Sequence, residues 1–479
     1  MSHAWCGVVV ACVLLLPLRS IAQPQAGGIG AHRQISNVAA LNAALGREPE
    51  TVHACVVALD SGAVYSHNAT QPIKPASIQK IITSAAFFER YGPEVRFATE
   101  VYRVSTSSGG LALYLRGLGD PALTTESLWM LARSVRAHGI AKISELFFDD
   151  SFFTGAKARD GQRAYMGGAS ALTFNFNALE VKACPTRPGG QAALSVEPFE
   201  VDAKAQGAVG TSERGNGSLS ATERGGDESP LYSVSGRVSL EDGCQSVYRS
   251  APDPAASAAE LFREYLRYLG IVVPQASQRG KVPQRAERLE LLLSQPAHEV
   301  VWGMNHWSTN VVSEQLMMFL GADSVSKSPA VAPLGVTISR ETAVAALNRY
   351  AVRMARGSRA VELVDGSGLS HDNRAPTELF CAVLHDVAQD PNIDIELEHS
   401  LPVSGRSGTL RERDFDLPQG RVRAKTGTIN GVSSLAGYLV SRRGNKYAFA
   451  VVSNSSRTKA ESVQIEDRFV RALYNDSDQ

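Results

Sequence analysis

The sequence predicts an α/β protein of two or three domains, and three observations carry that reading. Behind Lys80 the apolar run Ile81-Ile82-Thr83-Ser84-Ala85-Ala86-Phe87-Phe88 falls at helical spacing and reads as a buried helix. Strand-like runs lie far apart in the chain: Val56-Val57-Ala58-Leu59 near the start, Tyr438-Leu439-Val440 and Ala448-Phe449-Ala450-Val451-Val452 near the end. From about Phe97 the texture changes, with short strands alternating with helices. A chain of 479 residues is long enough for such a core. Its 48 basic side chains balance 48 acidic ones, which argues against nucleic acid or an acidic partner.

Taken in order, residues 1–22 read as an export signal. An apolar stretch from Trp5 to Leu18 precedes Ser20-Ile21-Ala22, with small residues where a signal peptidase cuts. An uncleaved amino-terminal anchor is the alternative, although the run is short of the ~20 residues a span needs. Export leaves Cys55, Cys184, Cys244 and Cys381, which admit three pairings. Cys184 and Cys244 share one segment and suit a staple, whereas Cys55 and Cys381 read as buried thiols. Cys55 to Asn68 reads as a hairpin turning at Asp60-Ser61-Gly62. Leu111–Leu115 then reads as a strand and Leu128–His138 as a helix, followed by a loop-heavy β region near residues 187–230. A helix from Ala255 to Leu269 and a strand at Leu289–Leu293 close that region. A helix starts at Val311, and the last one runs from Ala460 to Leu473.

Three motifs carry chemistry. In Pro75-Ala76-Ser77-Ile78-Gln79-Lys80 the serine and lysine stand three apart at a helix start, so the amine reaches the hydroxyl. A desolvated lysine can take the proton of a serine nucleophile, and free N–H groups there favour an oxyanion. The tetrad recurs at Ser324/Lys327 and Ser456/Lys459, and by itself Ser77 also suits a helix cap. Ser308 and Asn310 flank Thr309, so a bent backbone aims both into one cleft. A capping serine with a turn asparagine is the plainer reading of that pair. Lys425-Thr426-Gly427-Thr428 occurs once: on a strand Lys425 and Gly427 share a face, the lysine offers charge to a carboxylate, and Gly427 admits a substrate backbone. An edge strand ending in a turn is the alternative there. No cysteine or histidine cluster has metal-ligand spacing, so neither metal nor cofactor is expected.

Together the three motifs, in this order, resemble the active-site set of penicillin-binding proteins and serine β-lactamases. The flanks Asp365-Gly366-Ser367-Gly368-Leu369-Ser370 and Leu401-Pro402-Val403-Ser404-Gly405 are similar to those of the class C low-molecular-mass penicillin-binding proteins, the D-alanyl-D-alanine carboxypeptidases and endopeptidases. The resemblance spans roughly residues 40 to 475. It implies a transpeptidase-like core, an antiparallel sheet flanked by helices, built from residues 23–97 and 295–479. Two small domains would be inserted between the first two motifs: 98–180 with 251–294, and a nested β-rich 181–250. It further implies an exported, periplasmic hydrolase that trims or cuts peptidoglycan stem peptides through an acyl-enzyme and is acylated by β-lactams. Peripheral membrane contact and oligomeric state stay open. Ser77 would be the nucleophile, Lys80 its base, Ser308 the proton relay and Asn310 the holder of Lys80. Lys425, Thr426, Gly427 and Thr428 would bind substrate, with the backbone N–H groups of Ser77 and Thr428 as oxyanion hole. Asp120 is a candidate contact for a basic stem-peptide amine. The chain departs from many such relatives in carrying Trp307, not a basic residue, before Ser308.

Overall fold

The computed structural model describes residues 35–476, apart from 36, 47, 158, 225–229, 323–327, 329, 331, 358–359 and 456. The export signal expected at 1–22, and Ser324, Lys327 and Ser456 of the two other tetrads, lie outside the described residues.

After helix α1 (Val38–Ala44), the expected hairpin forms from β1 (Val52–Ala58) and β2 (Val64–His67), and helix α2 (Gln79–Tyr91) follows. Every residue of α2 except Glu89 and Arg90 is buried, as its unbroken apolar run requires. Beyond a long intervening region come α3 (Ala297–Trp307), α4 (Asn310–Leu320), α5 (Arg340–Met354) and α6 (Thr377–Val387). Strands β3 (Val422–Ile429), β4 (Val432–Val440) and β5 (Lys446–Asn454) then lead to α7 (Lys459–Tyr474), whose start is fixed by a Thr458/Glu461 capping box.

The five strands form one antiparallel sheet in the order β3-β4-β5-β1-β2, so β5 from the end of the chain pairs with β1 from its beginning. Both faces are covered, which explains near-continuous apolar runs where one-sided strands alternate with polar residues. Along β5 the period-two pattern survives largely as size. Phe449, Val451, Leu435 and Leu439 pack with Phe469 and Leu473 of α7, whereas Ala436, Ala448 and Ala450 face the layer containing α2 and α6. These three alanines let the helices approach the sheet that bears the third motif, with Tyr438 OH donating to Leu384 O of α6 at 2.7 Å.

The intervening region contains a second five-stranded sheet that includes Arg96–Ser105, Leu111–Gly117, Glu145–Asp149 and Glu287–Pro296, with helices Thr125–Ala137 and Pro254–Tyr268 beside it. Two three-stranded sheets follow within it, built from strands between Ala178 and Ser250. Phe319 of α4 meets Phe87 and Phe97 at 6.3 and 5.2 Å and Phe153 at 5.4 Å, fastening this region to the core. Cys184 pairs with Cys244. Cys55 and Cys381 are not the buried thiols expected from sequence: they form a second disulfide, Cα–Cα 6.4 Å, tying β1 to α6. Their 326-residue separation hid the pairing, which only the sheet's closure from both chain ends brings about.

Candidate active site

Ser77 sits in a single 3-10 turn, Ala76–Ile78, immediately before α2 and not within its first α-turn. The turn is strained, because Ala76 holds φ +52° where a β-carbon costs roughly 1–2 kcal/mol. Its neighbours impose that conformation. Ser434 Oγ donates to Pro75 O at 2.9 Å, and Gly368 lies so near that a Cβ there would come within 1.9 Å of Ala76 O.

Lys80, fully buried, places Nζ 3.1 Å from Ser77 Oγ, 2.7 Å from Asn310 Oδ1 and 2.8 Å from Ser367 O. The two carbonyl oxygens can only accept. They take both N–H donors of a neutral amine and leave its lone pair facing the serine hydroxyl. Burial lowers the Lys80 pKa to about 7, against the opposing charges of Asp365 and Glu314. A lysine so placed is free to accept a proton near neutral pH.

The second motif arrives through a backbone reversal. Helix α3 ends at Trp307, Ser308 takes the left-handed conformation (φ +59°, ψ +38°), and α4 begins at Asn310. Lys425 Nζ donates to Ser308 Oγ at 2.9 Å and to Thr426 O at 2.8 Å. Burial, and then the charge of Lys80, push the Lys425 pKa well down. Asn310 uses both ends of its amide: Oδ1 accepts from Lys80, and Nδ2 donates to Tyr165 O of the intervening region at 2.7 Å.

Strand β3 is an edge of its sheet, and its outer side faces the site. Ala424 N donates outward to Pro402 O, so the two-residue repeat puts the N–H of Thr428 on that same outer edge. Gly427 has a packing role that its sequence did not suggest. A Cβ there would lie 2.3 Å from Ser434 Oγ and 2.8 Å from Ser77 N, so its bareness seats the strand against the serine turn. Thr426 Oγ1 donates to Thr409 Oγ1 at 2.8 Å.

Ser77, Ser308, Asn310 and Thr428 line a cleft of about 1350 Å³. Lys80 and Lys425 lie beneath it, buried, and reach its floor through their amines. Trp307 and Tyr165, 63% and 51% exposed, stand on its walls. Asp120 does not join them: it is buried, accepts from Ala122 N at 2.9 Å, and is raised to about 6 by burial. Its carboxylate serves the Gly119-Asp120-Pro121 turn.

Several participants went unrecognised in the sequence. Ser367 contributes a carbonyl, which no side-chain motif reveals. Asp365 organises the turn that carries it, accepting from Gly368 N and Ser370 N, each at 2.7 Å, and from Asn373 Nδ2 at 3.0 Å. An Asp-Gly-Ser-Gly run is a turn signal, but it does not reveal which side chain the turn will meet. Among the described residues, no group of three or more His, Cys, Asp or Glu is arranged to hold a metal.

A family model described as D-Ala-D-Ala carboxypeptidase 3 (S13) matches residues 34–475. A D-alanyl-D-alanine carboxypeptidase of Actinomadura sp. (strain R39) is 30% identical over 416 residues, covering 82% of this chain and 75% of its own. D-alanyl-D-alanine carboxypeptidase DacB of Haemophilus influenzae is 25% identical over 432 residues, covering 86% and 88%. The crystal structure of penicillin binding protein 4 (dacB) from Haemophilus influenzae superposes with a TM-score of 0.73 at 24% identity, covering 92% of this chain and 98% of that one. A predatory peptidoglycan endopeptidase from Bdellovibrio bacteriovorus shares the fold at TM-score 0.51 and 16% identity, covering 89% and 92%.

Proposed function

Since the chain belongs to the D-Ala-D-Ala carboxypeptidase 3 (S13) family and is a serine-type D-alanyl-D-alanine carboxypeptidase, we propose that Ser77 is its nucleophile and Lys80 its general base. One observation carries the assignment. Lys80 has both N–H donors committed to carbonyl oxygens and its third direction committed to Ser77 Oγ.

Ser77 Oγ adds to the carbonyl carbon between the last two D-alanines while its proton passes to Lys80. The oxyanion lies against the N–H groups of Ser77 and Thr428. When the tetrahedral centre collapses, the departing amine takes a proton through Ser308, which Lys425 holds. Lys425 also offers its amine N–H donors to the substrate's terminal carboxylate. Water attacks the ester, the serine is restored, and the shortened stem peptide leaves. If the departing amine belongs to a second stem peptide, the same steps cut a cross-bridge, so endopeptidase action is part of this proposal. Benzylpenicillin would acylate Ser77 by the first step. The Haemophilus influenzae homologue, 25% identical, has been solved in complex with a β-lactam.

We assign residues 98–180 with 251–294, and the nested 181–250, to two inserted domains that shape the approach of peptidoglycan strands. We place the enzyme outside the cytoplasm. Two disulfides support export, because they persist in oxidising compartments. Among the described residues no helix is long and apolar enough to cross a membrane.

The test is intact-mass analysis after exposure to benzylpenicillin, with Ser77→Ala beside it. The expected result is one penicillin added to the wild type and none to the variant. Penicillin hydrolysed without an adduct makes a β-lactamase the better reading. Intact penicillin with no adduct indicates a catalytically silent fold.

A further inference from the structure

Helix α4 supports the lysine base at two points, one turn apart. Asn310 reaches Lys80 directly. Glu314, four residues on and facing the same way, accepts at Oε1 from Gly366 N and Ser367 N, each at 3.0 Å. The carbonyl of that same Ser367 is the second acceptor for Lys80. Asp365 shapes the turn from within, while Glu314 fastens it to the helix that also carries Asn310.

We propose that Glu314 is a positioning residue for the catalytic lysine: it clamps the Ser367 carbonyl against Lys80 so that the lone pair meets Ser77, and its charge biases the protonation of Lys80. This rests on the function proposed above.

A clamp alone needs no ionisable group, since a buried amide could accept the same two N–H donors. The surroundings make the charge consequential. Facing Glu314 are Lys80 from α2, Asp365 from the turn, and Arg340 from α5, which donates to Val364 O at 2.6 Å. Burial, reinforced by Asp365, lifts the Glu314 pKa to about 7. Lys80 is lowered to about the same value, so the two titrate jointly across neutrality. An ionised Glu314 favours the ammonium. A neutral one releases Lys80 as free base, so the glutamate moderates loss of the base as the medium acidifies.

The experiment is the second-order rate of Ser77 acylation by benzylpenicillin, followed by mass from pH 5 to 9 for wild type, Glu314→Gln and Glu314→Asp. Gln keeps an oxygen for the two N–H donors and removes the charge, so the acid midpoint should fall by about one pH unit. Asp keeps the charge but is one methylene short, so its plateau rate should drop several-fold with the midpoint near that of wild type. A folded Gln variant, matched to wild type by circular dichroism, whose midpoint coincides with wild type overturns the inference and leaves the proposed function standing. A wild type that forms no adduct at any pH overturns both.

Discussion

Replacing Lys80 with arginine separates a proton acceptor from a mere positive charge. With Lys80 at about 7, the free base makes up about nine-tenths of the population at pH 8 and a small fraction at pH 5. If that amine removes the Ser77 proton, acylation by benzylpenicillin should be flat above pH 8. It should bend at about pH 7 and fall below it, less steeply than about tenfold per unit while Glu314 takes up its proton. An unshifted lysine near 10.4 would instead keep the rate climbing tenfold per unit through pH 9. An arginine stays charged throughout. It also has no lone pair to turn toward Ser77 Oγ, now 3.1 Å from the amine, so the general-base contribution of roughly 10²–10⁴-fold disappears. The assay is quenched-flow mixing with mass detection of the acyl-enzyme, run for both proteins across the pH range. A profile still rising at pH 9, or a Lys80→Arg variant acylating near the wild-type rate, refutes the assignment of Lys80 as base.

Gly427→Ala drives a methyl group toward Ser434 Oγ and Ser77 N. Acylation should fall at least about a hundredfold, measured by the same assay, whereas room for the methyl would leave the rate unchanged. Denatured but unreduced protein should show no alkylatable thiol among Cys55, Cys184, Cys244 and Cys381, and Cys55→Ser with Cys381→Ser should cost about 2–5 kcal/mol in denaturant unfolding. One labelled thiol pair would restore the reading of buried cysteines. Stability should rise with pH above 7. The folded Lys80 pKa lies below the unfolded one, so the unfolded chain binds the extra proton between about 7 and 10.4, and the burial cost is fully present below 7. The slope from this group is up to about 1.4 kcal/mol per unit. Lys80→Met should flatten the curve between pH 7 and 9, and parallel melting curves for the two proteins would contradict this.

How much of this was legible follows from which interactions are local. Ser77 and Lys80, three residues apart, meet through one turn of backbone, and their spacing told of it. The Ser308–Asn310 reversal was legible as a bent segment, although only φ shows that a non-glycine residue adopts the left-handed form. Long apolar strands were readable because burial on both faces suppresses polar residues. What stayed hidden depended on partners hundreds of positions away: the Cys55–Cys381 bond, the Ser367 carbonyl under Lys80, and the fit of Gly427 against the serine turn. A carbonyl is present at every residue and a missing β-carbon suits many purposes, so neither announces its neighbour. Asp120 misled for the complementary reason. A carboxylate beside glycine and proline reads equally as ligand or as turn bond, and the structure spends it on Ala122 N.

The bond from Asn310 Nδ2 to Tyr165 O has a consequence for how this enzyme could be shortened. An amide side chain has no intrinsic preference for which end faces which neighbour. Here a carbonyl contributed by another part of the chain keeps the NH₂ outward and the oxygen on Lys80. Trim away that part, and the amide is free to rotate and present donors to an amine that is itself a donor. The residues between the first two motifs are therefore no detachable ornament on a self-sufficient catalytic core. A minimal version would have to supply a new acceptor in the place of Tyr165 before its lysine could be held as it is here.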